Sequence, residues 1–145
     1  MSDESRANNH LNELTSQKDA FIFYFKKLDI EMIDLILDGD KTYQDFPKTL
    51  FIQKLDNAFY RFLKKGDSEL YSYQGTCCSQ ICSFDCKGIR FIGNNSGLYI
   101  DLVFKEEKGN LLDIYECHQF STVSPKKDLL QKVFIDSANL PISMM

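Results

Sequence analysis

The chain has no tryptophan, three prolines, two histidines and seven glycines in 145 residues. So little proline and glycine excludes collagen-like and low-complexity architectures. No apolar run approaches the ~20 residues that a membrane-crossing helix requires, so no membrane partner is expected. The first residues, MSDESRANNHLNEL, are polar and lack the apolar stretch of a secretory signal. A cytoplasmic chain is therefore expected, its five cysteines kept as thiols. Positive charge is scarce as well: 17 Lys and Arg face 21 Asp and Glu, a net charge of −4. Lys26-Lys27 and Lys64-Lys65 are each followed closely by acids rather than by more cations. A phosphate-binding surface needs clustered cations, so nucleic acid is not expected as a partner.

Phenylalanine is what the chain has in quantity: twelve Phe and seven Tyr. At this length a core can form without disulfide or metal staples, and the rings either thicken that core or line an apolar cavity. Residues 1–10 read as a flexible tail and 11–145 as one domain with a C-terminal helical extension.

Ser16, with Asp19 three residues on, predicts the start of a helix carrying Ala20, Phe21, Phe23, Tyr24, Phe25 and Leu28, apolar around much of its circumference. Asp29 caps a second helix through Ile30, Ile33, Leu35 and Ile36, which the Asp38-Gly39-Asp40 break is expected to end through a left-handed glycine. Thr42 to Phe46 reads as one short strand. Pro47 fits the first turn of a long helix whose apolar stripe is Phe51, Leu55, Ala58, Phe59, Phe62 and Leu63. From Glu69 the period changes to that of strands: 69–76, 78–84, 88–92, 98–104 and 111–120. Gly93-Asn94-Asn95-Ser96-Gly97 and Glu106-Glu107-Lys108-Gly109-Asn110 are the strongest turns. Ser124-Pro125 starts a last helix. Helices followed by an antiparallel meander predict an α+β class, with helices packed on one face of the sheet.

This order of elements, over residues 14 to 120, resembles the cystatin-like cone of the nuclear transport factor 2-like superfamily, with its ketosteroid isomerase and SnoaL-like cyclase branches. The resemblance implies a curved sheet wrapped around the long helix and an apolar pocket lined by Phe21, Tyr43, Phe59, Ile114 and Glu116. It also implies a homodimer formed through the outer sheet face, and a small apolar molecule as partner. Gln44-Asp45-Phe46-Pro47 resembles the segment that supplies the isomerases' general base. Tyr99-Ile100-Asp101-Leu102 resembles the strand that holds their protonated acid. The oxyanion-hole tyrosine falls near Phe21, which has no donor, and Tyr24 lies one turn later. Asp45, Asp101 and Tyr24, with His118, are thus the candidate catalytic residues. A carboxyl group in an apolar cavity favours its neutral form and can exchange protons. Against this, Asp45 caps the following helix in the simpler reading, and Glu116 and His118 form a polar pair near the pocket mouth.

Cys78, Cys82 and Cys86 are spaced by four, with Cys77 adjacent and Cys117 distant. On an extended strand four residues span ~13 Å, too far for one ion, so the thiols read as small buried hydrophobes. No metal and no cofactor are expected. Three functions stay open: a small-molecule-binding domain, an isomerase- or cyclase-type proton-transfer enzyme, and a structural or protein-interaction domain whose cavity is filled by its own side chains.

Overall fold

The computed structural model describes residues 16–76, 87–116, 121–122 and 132–135. Helix α1 runs Gln17–Lys26, α2 Ile30–Ile36 and α3 Lys48–Lys64. The strands are β1 (Thr42–Tyr43), β2 (Phe46–Pro47), β3 (Leu70–Thr76), β4 (Lys87–Gly93), β5 (Tyr99–Glu107), β6 (Asn110–Glu116) and β7 (Ser121–Thr122). β1 and β2 make a miniature hairpin; the others form an antiparallel sheet in the order β6-β5-β4-β3-β7. The class is α+β, as expected. The anticipated strand 78–84, the helix from Ser124-Pro125 and all five cysteines lie outside the described residues.

Both predicted caps are present. The Ser16 side chain accepts from Asp19 N at 3.1 Å, and Asp29 Oδ1 accepts from Met32 N at 3.2 Å. Each satisfies an otherwise orphaned N–H of a first turn. Gln17, next along, ties the start of α1 to the β5–β6 turn and to the end of α2. Its N donates to Gly109 O at 3.0 Å, its Oε1 accepts from Leu111 N at 2.6 Å, and its Nε2 donates to Ile36 O at 2.6 Å.

Three local expectations are corrected. α2 ends without a left-handed glycine, because Leu37 leaves the helix in extended conformation and the Asp38 N–H is taken by the Tyr43 hydroxyl at 3.0 Å. The Thr42–Phe46 strand is instead a hairpin turning at Gln44 and Asp45, both with positive φ (53° and 66°). That backbone matches a tight hairpin turn, and it is costly for residues that carry a Cβ. Gln44 is held by β6: its N donates to Asp113 Oδ1 at 2.9 Å, and its side-chain amide exchanges two 3.2 Å bonds with Glu116. Finally, Pro47 is the N-cap residue of α3 rather than part of its first turn, and no side chain caps that helix, Asp45 included.

The α3 stripe is buried through Phe51, Leu55, Ala58, Phe59 and Phe62, while Leu63 is half exposed. It packs on the sheet through rings. Phe25 of α1 sits between Phe59 (centroids 4.9 Å) and Phe91 of β4 (4.3 Å), and Phe21 meets Phe104 of β5 at 5.6 Å. Each such buried ring contributes about 2–3 kcal/mol by leaving water. Ile89, Phe91, Ile100, Leu102, Phe104 and Ile114 share this helix-side core. By strand alternation Arg90, Ile92, Asp101 and Val103 face the other way.

The turn between β4 and β5 is built on Asp67, a buried carboxylate before β3. It accepts from Asn95 N and Ser96 N, both at 2.7 Å, and from Ser96 Oγ at 2.5 Å. The carboxylate lies where a Cβ on Gly93 would be, so this glycine is required by close approach rather than by its dihedrals. Gly93→Ala is expected to cost about 2–3 kcal/mol in urea unfolding, the range of overpacked sites. In an Asp67→Ala background the added cost should fall well below that, because the clashing group is gone. Equal costs in both backgrounds would show that the carboxylate is not what excludes the methyl group.

Candidate functional site

The described structure places acids and cations at three points around the sheet. On the face away from the helices, Asp101 of β5 is fully buried and stands directly across from Arg90 of β4. Arg90 Nε donates to Asp101 Oδ1 at 2.7 Å and its Nη2 to Oδ2 at 3.0 Å. Lys132 Nζ is 3.0 Å from the same Oδ2. The Arg90 guanidinium also stacks over the Tyr99 ring at 4.6 Å. The Asp101 carboxylate hydrogen-bonded to it raises the pKa of Arg90 above its ordinary value, against the opposing effect of burial.

Lys132 is there because its backbone is docked. Among the described residues, β6 pairs with β5 as far as Glu116 opposite Leu102. Residues 132–135 meet the start of β5 in parallel: Tyr99 bridges Lys132, and Val133 N donates to Tyr99 O at 2.6 Å. Ile135 N donates to Glu116 Oε1. Glu116 therefore closes a second polar cluster, on the helix side, with Gln44 and the Ile135 amide.

The third point is a cleft of about 490 Å³ between α1 and the sheet. Ile22, Ile89 and Phe104 give it apolar walls, with Lys18, Asp19 and Gln74 bringing polar groups to it. Gly75 and Gly88 pair across β3 and β4 at its floor, and neither adds a side chain. Lys18 Nζ lies 3.6 Å from Glu106 and 5.8 Å from the centre of the Phe104 ring.

The predicted catalytic residues do not converge. Asp45 is exposed at the tip of the β1–β2 hairpin. Tyr24 is buried in the helix-side core, edge-on to Phe23 at 5.1 Å, whereas Asp101 faces the opposite side of the sheet. His118 lies outside the described residues. Of the predicted ligand-lining residues, Phe21, Tyr43, Phe59 and Ile114 are buried at 0–1% exposure within the packed core. Glu116 is bonded as above, and none of the five lines the cleft. The Arg90 and Lys132 partners of Asp101 went unread, although the Arg in Gly88-Ile89-Arg90-Phe91 is as foreign to its apolar strand as the Asp in Ile100-Asp101-Leu102. Glycines inside the strands, Gly75 and Gly88, were the signal for the cleft.

Among the described residues no group of three His, Cys, Asp or Glu could hold a metal ion, and no helix is long and apolar enough to cross a membrane. Compared with family models, curated proteins and solved structures, the chain matches none.

Two predictions follow from these placements. Asp101→Asn should lower stability in urea unfolding by about 3–5 kcal/mol, the cost of leaving buried cations without their anion. A change under about 1 kcal/mol would show that Arg90 and Lys132 find other partners. Burial raises the pKa of the Tyr43 phenol above its ordinary value. Its contribution to stability is then complete below the unfolded value of about 10 and is lost as pH rises from there through the folded value. Tyrosinate absorbance should show a late-titrating phenol that Tyr43→Phe removes; an unaltered titration curve would contradict the assignment.

Proposed function

We propose that this chain is a small-molecule-binding domain whose site is the cleft between α1 and the β3–β5 face. The cleft's volume and lining carry the reading. About 490 Å³ is within the range of ligand pockets, and apolar walls with a few polar groups are their usual composition. The resemblance to the nuclear transport factor 2-like cone supports it, since that architecture opens a pocket between helices and sheet. The cleft is displaced from the position the resemblance implies. Beside the long helix the space is taken by Phe25, Phe59 and Phe91. The ligand this lining suits is a compact apolar molecule with one polar end, its body against Ile22, Ile89 and Phe104 and its polar end toward Lys18.

A second reading has one specific observation behind it. The ring packing through Phe21, Phe25, Phe59, Phe91 and Phe104 is what a structural or protein-interaction domain with a self-filled interior would show. The two readings separate in one experiment. Native mass spectrometry of protein purified under reducing conditions should show an organic adduct in the natural chain. Ile22→Trp, which fills the cleft and supplies the chain's sole tryptophan, should lose it while keeping a cooperative melt. A bare mass, or an adduct the variant retains, would leave the self-filled domain as the function to pursue. The same spectrum distinguishes a monomer from the homodimer that the resemblance implies. On the outer face Tyr71 is exposed to such a partner, whereas Ile92, Asp101 and Val103 are already buried within one chain.

A further inference from the structure

The five-stranded sheet has two edges, and the chain treats them differently. At one edge β6 is closed by side chains. Leu111 N donates to Gln17 Oε1 at 2.6 Å, and Leu111 O accepts from Lys41 Nζ at 3.1 Å. Ile114 N donates to Asp113 Oδ1 at 2.8 Å, and Glu116 N to Gln44 Oε1 at 3.2 Å. A register shift between Lys105 and Glu106 also interrupts its ladder with β5. Covered backbone groups and a broken register keep an edge from recruiting another strand.

Toward the other edge β3 has no such cover. β7 pairs with Gly75 and Thr76 alone, and among the described residues nothing pairs with that side of Leu70, Tyr71, Ser72 and Tyr73. These residues make no hydrogen bond outside the ladder with β4. The run Leu70-Tyr71-Ser72-Tyr73-Gln74 holds neither charge nor proline, and its register on β4 is unbroken from Leu70 opposite Gly93 to Thr76 opposite Lys87. Tyr71 and Tyr73 point away from the helices, as their partners Ile92 and Arg90 do, and Tyr71 is 48% exposed. A regular, uncharged, aromatic edge with open backbone groups is a template for strand addition.

Symmetry identifies the strand that fits. Residues directly opposite in an antiparallel pair share a face, so a two-fold axis through such a pair falls on a residue and not between two. Leu70 begins β3, and β7 takes the edge from Gly75 onward. The axis that uses most of the edge between them falls on Ser72. Tyr71 of each copy then faces Tyr73 of the other, an aromatic cross-strand pair made twice, and no like charges meet. We propose that β3 pairs antiparallel with β3 of a second copy of this chain, centred on Ser72, joining the two sheets edge to edge. Because β6 is closed, the assembly stops at two copies. The pair is short, so self-association in the micromolar range is expected. This contact uses the edge of the sheet and not its outer face, and it does not depend on the cleft being a binding site.

The test is sedimentation equilibrium of the full chain under reducing conditions, from about 5 to about 200 µM, with amide hydrogen exchange of residues 70–74 followed over the same range. A monomer–dimer equilibrium is expected, and exchange in that stretch should slow as the dimer fills. Tyr71→Lys and Tyr73→Glu should each weaken self-association about tenfold while keeping a cooperative urea transition. Mixed in equal amounts, the two variants should form a heterodimer tighter than either homodimer, since the introduced charges then face each other. A monomer throughout the range would overturn the proposal. So would a dimer whose 70–74 amides exchange at the monomer's rate, which would place the contact elsewhere. A mixture no tighter than its components would overturn the register on Ser72, and species growing beyond a dimer would contradict the closed β6 edge.

Discussion

Asp101 has both carboxylate oxygens engaged by cations in a place from which water is excluded, and the arrangement of the sheet around it depends on that fact. A lone buried carboxylate would cost several kcal/mol, so the strand that carries it needs Arg90 directly opposite and Lys132 alongside. The first requirement fixes the register of β4 on β5, since a one-residue slip would move Arg90 to the other face. The second brings residues 132–135 alongside the start of β5. Once there, Val133 and Ile135 enter the core and Phe134 becomes a wall of a groove beside α3. One charge thus orders the sheet, completes the core and shapes a surface.

What could be read from the sequence was what is decided locally. Ser16 and Asp29 cap helices because the groups they satisfy are three residues away. The α3 stripe and the turns at Asn94-Asn95 and Lys108-Gly109 were legible for the same reason: period and turn chemistry act over a few residues. The β1–β2 hairpin was not legible. Gln44-Asp45 is a poor pair for two positive φ angles, and what holds it there is Asp113 and Glu116, about seventy residues on. Asp101 is foreign to its apolar strand, but a lone sequence does not say which face a strand presents. The resemblance put it in a pocket; the register put it against Arg90.

The same distinction separates the two views of the interior. Composition allowed the Phe residues either to fill a core or to line a cavity, and the count alone does not choose. The structure answers differently in two places. Beside α3 the rings close on one another. Farther along, at the start of α1, two paired glycines supply no side chain and the packing leaves a cleft. A small-molecule site is thus proposed at the thin end of the core rather than at its centre.

The bonds made by Gln17 set an order of events for a chain emerging from the ribosome. At roughly 5–20 residues per second, the Gly109 and Leu111 backbone groups that receive Gln17 are synthesised on the order of 5–20 s after it. Until Leu111 is made α1 lacks its bonds to the β5–β6 turn, and before Phe91 and Phe104 are made Phe25 and Phe21 have no strand rings to pack on. α1 is thus locked well after it is made, and closure across more than ninety residues makes that a slow, high-contact-order step. Chains halted before Phe91 would present Phe21 and Phe25 without the strand rings that cover them, the kind of surface that chaperones retain and that aggregates when they do not.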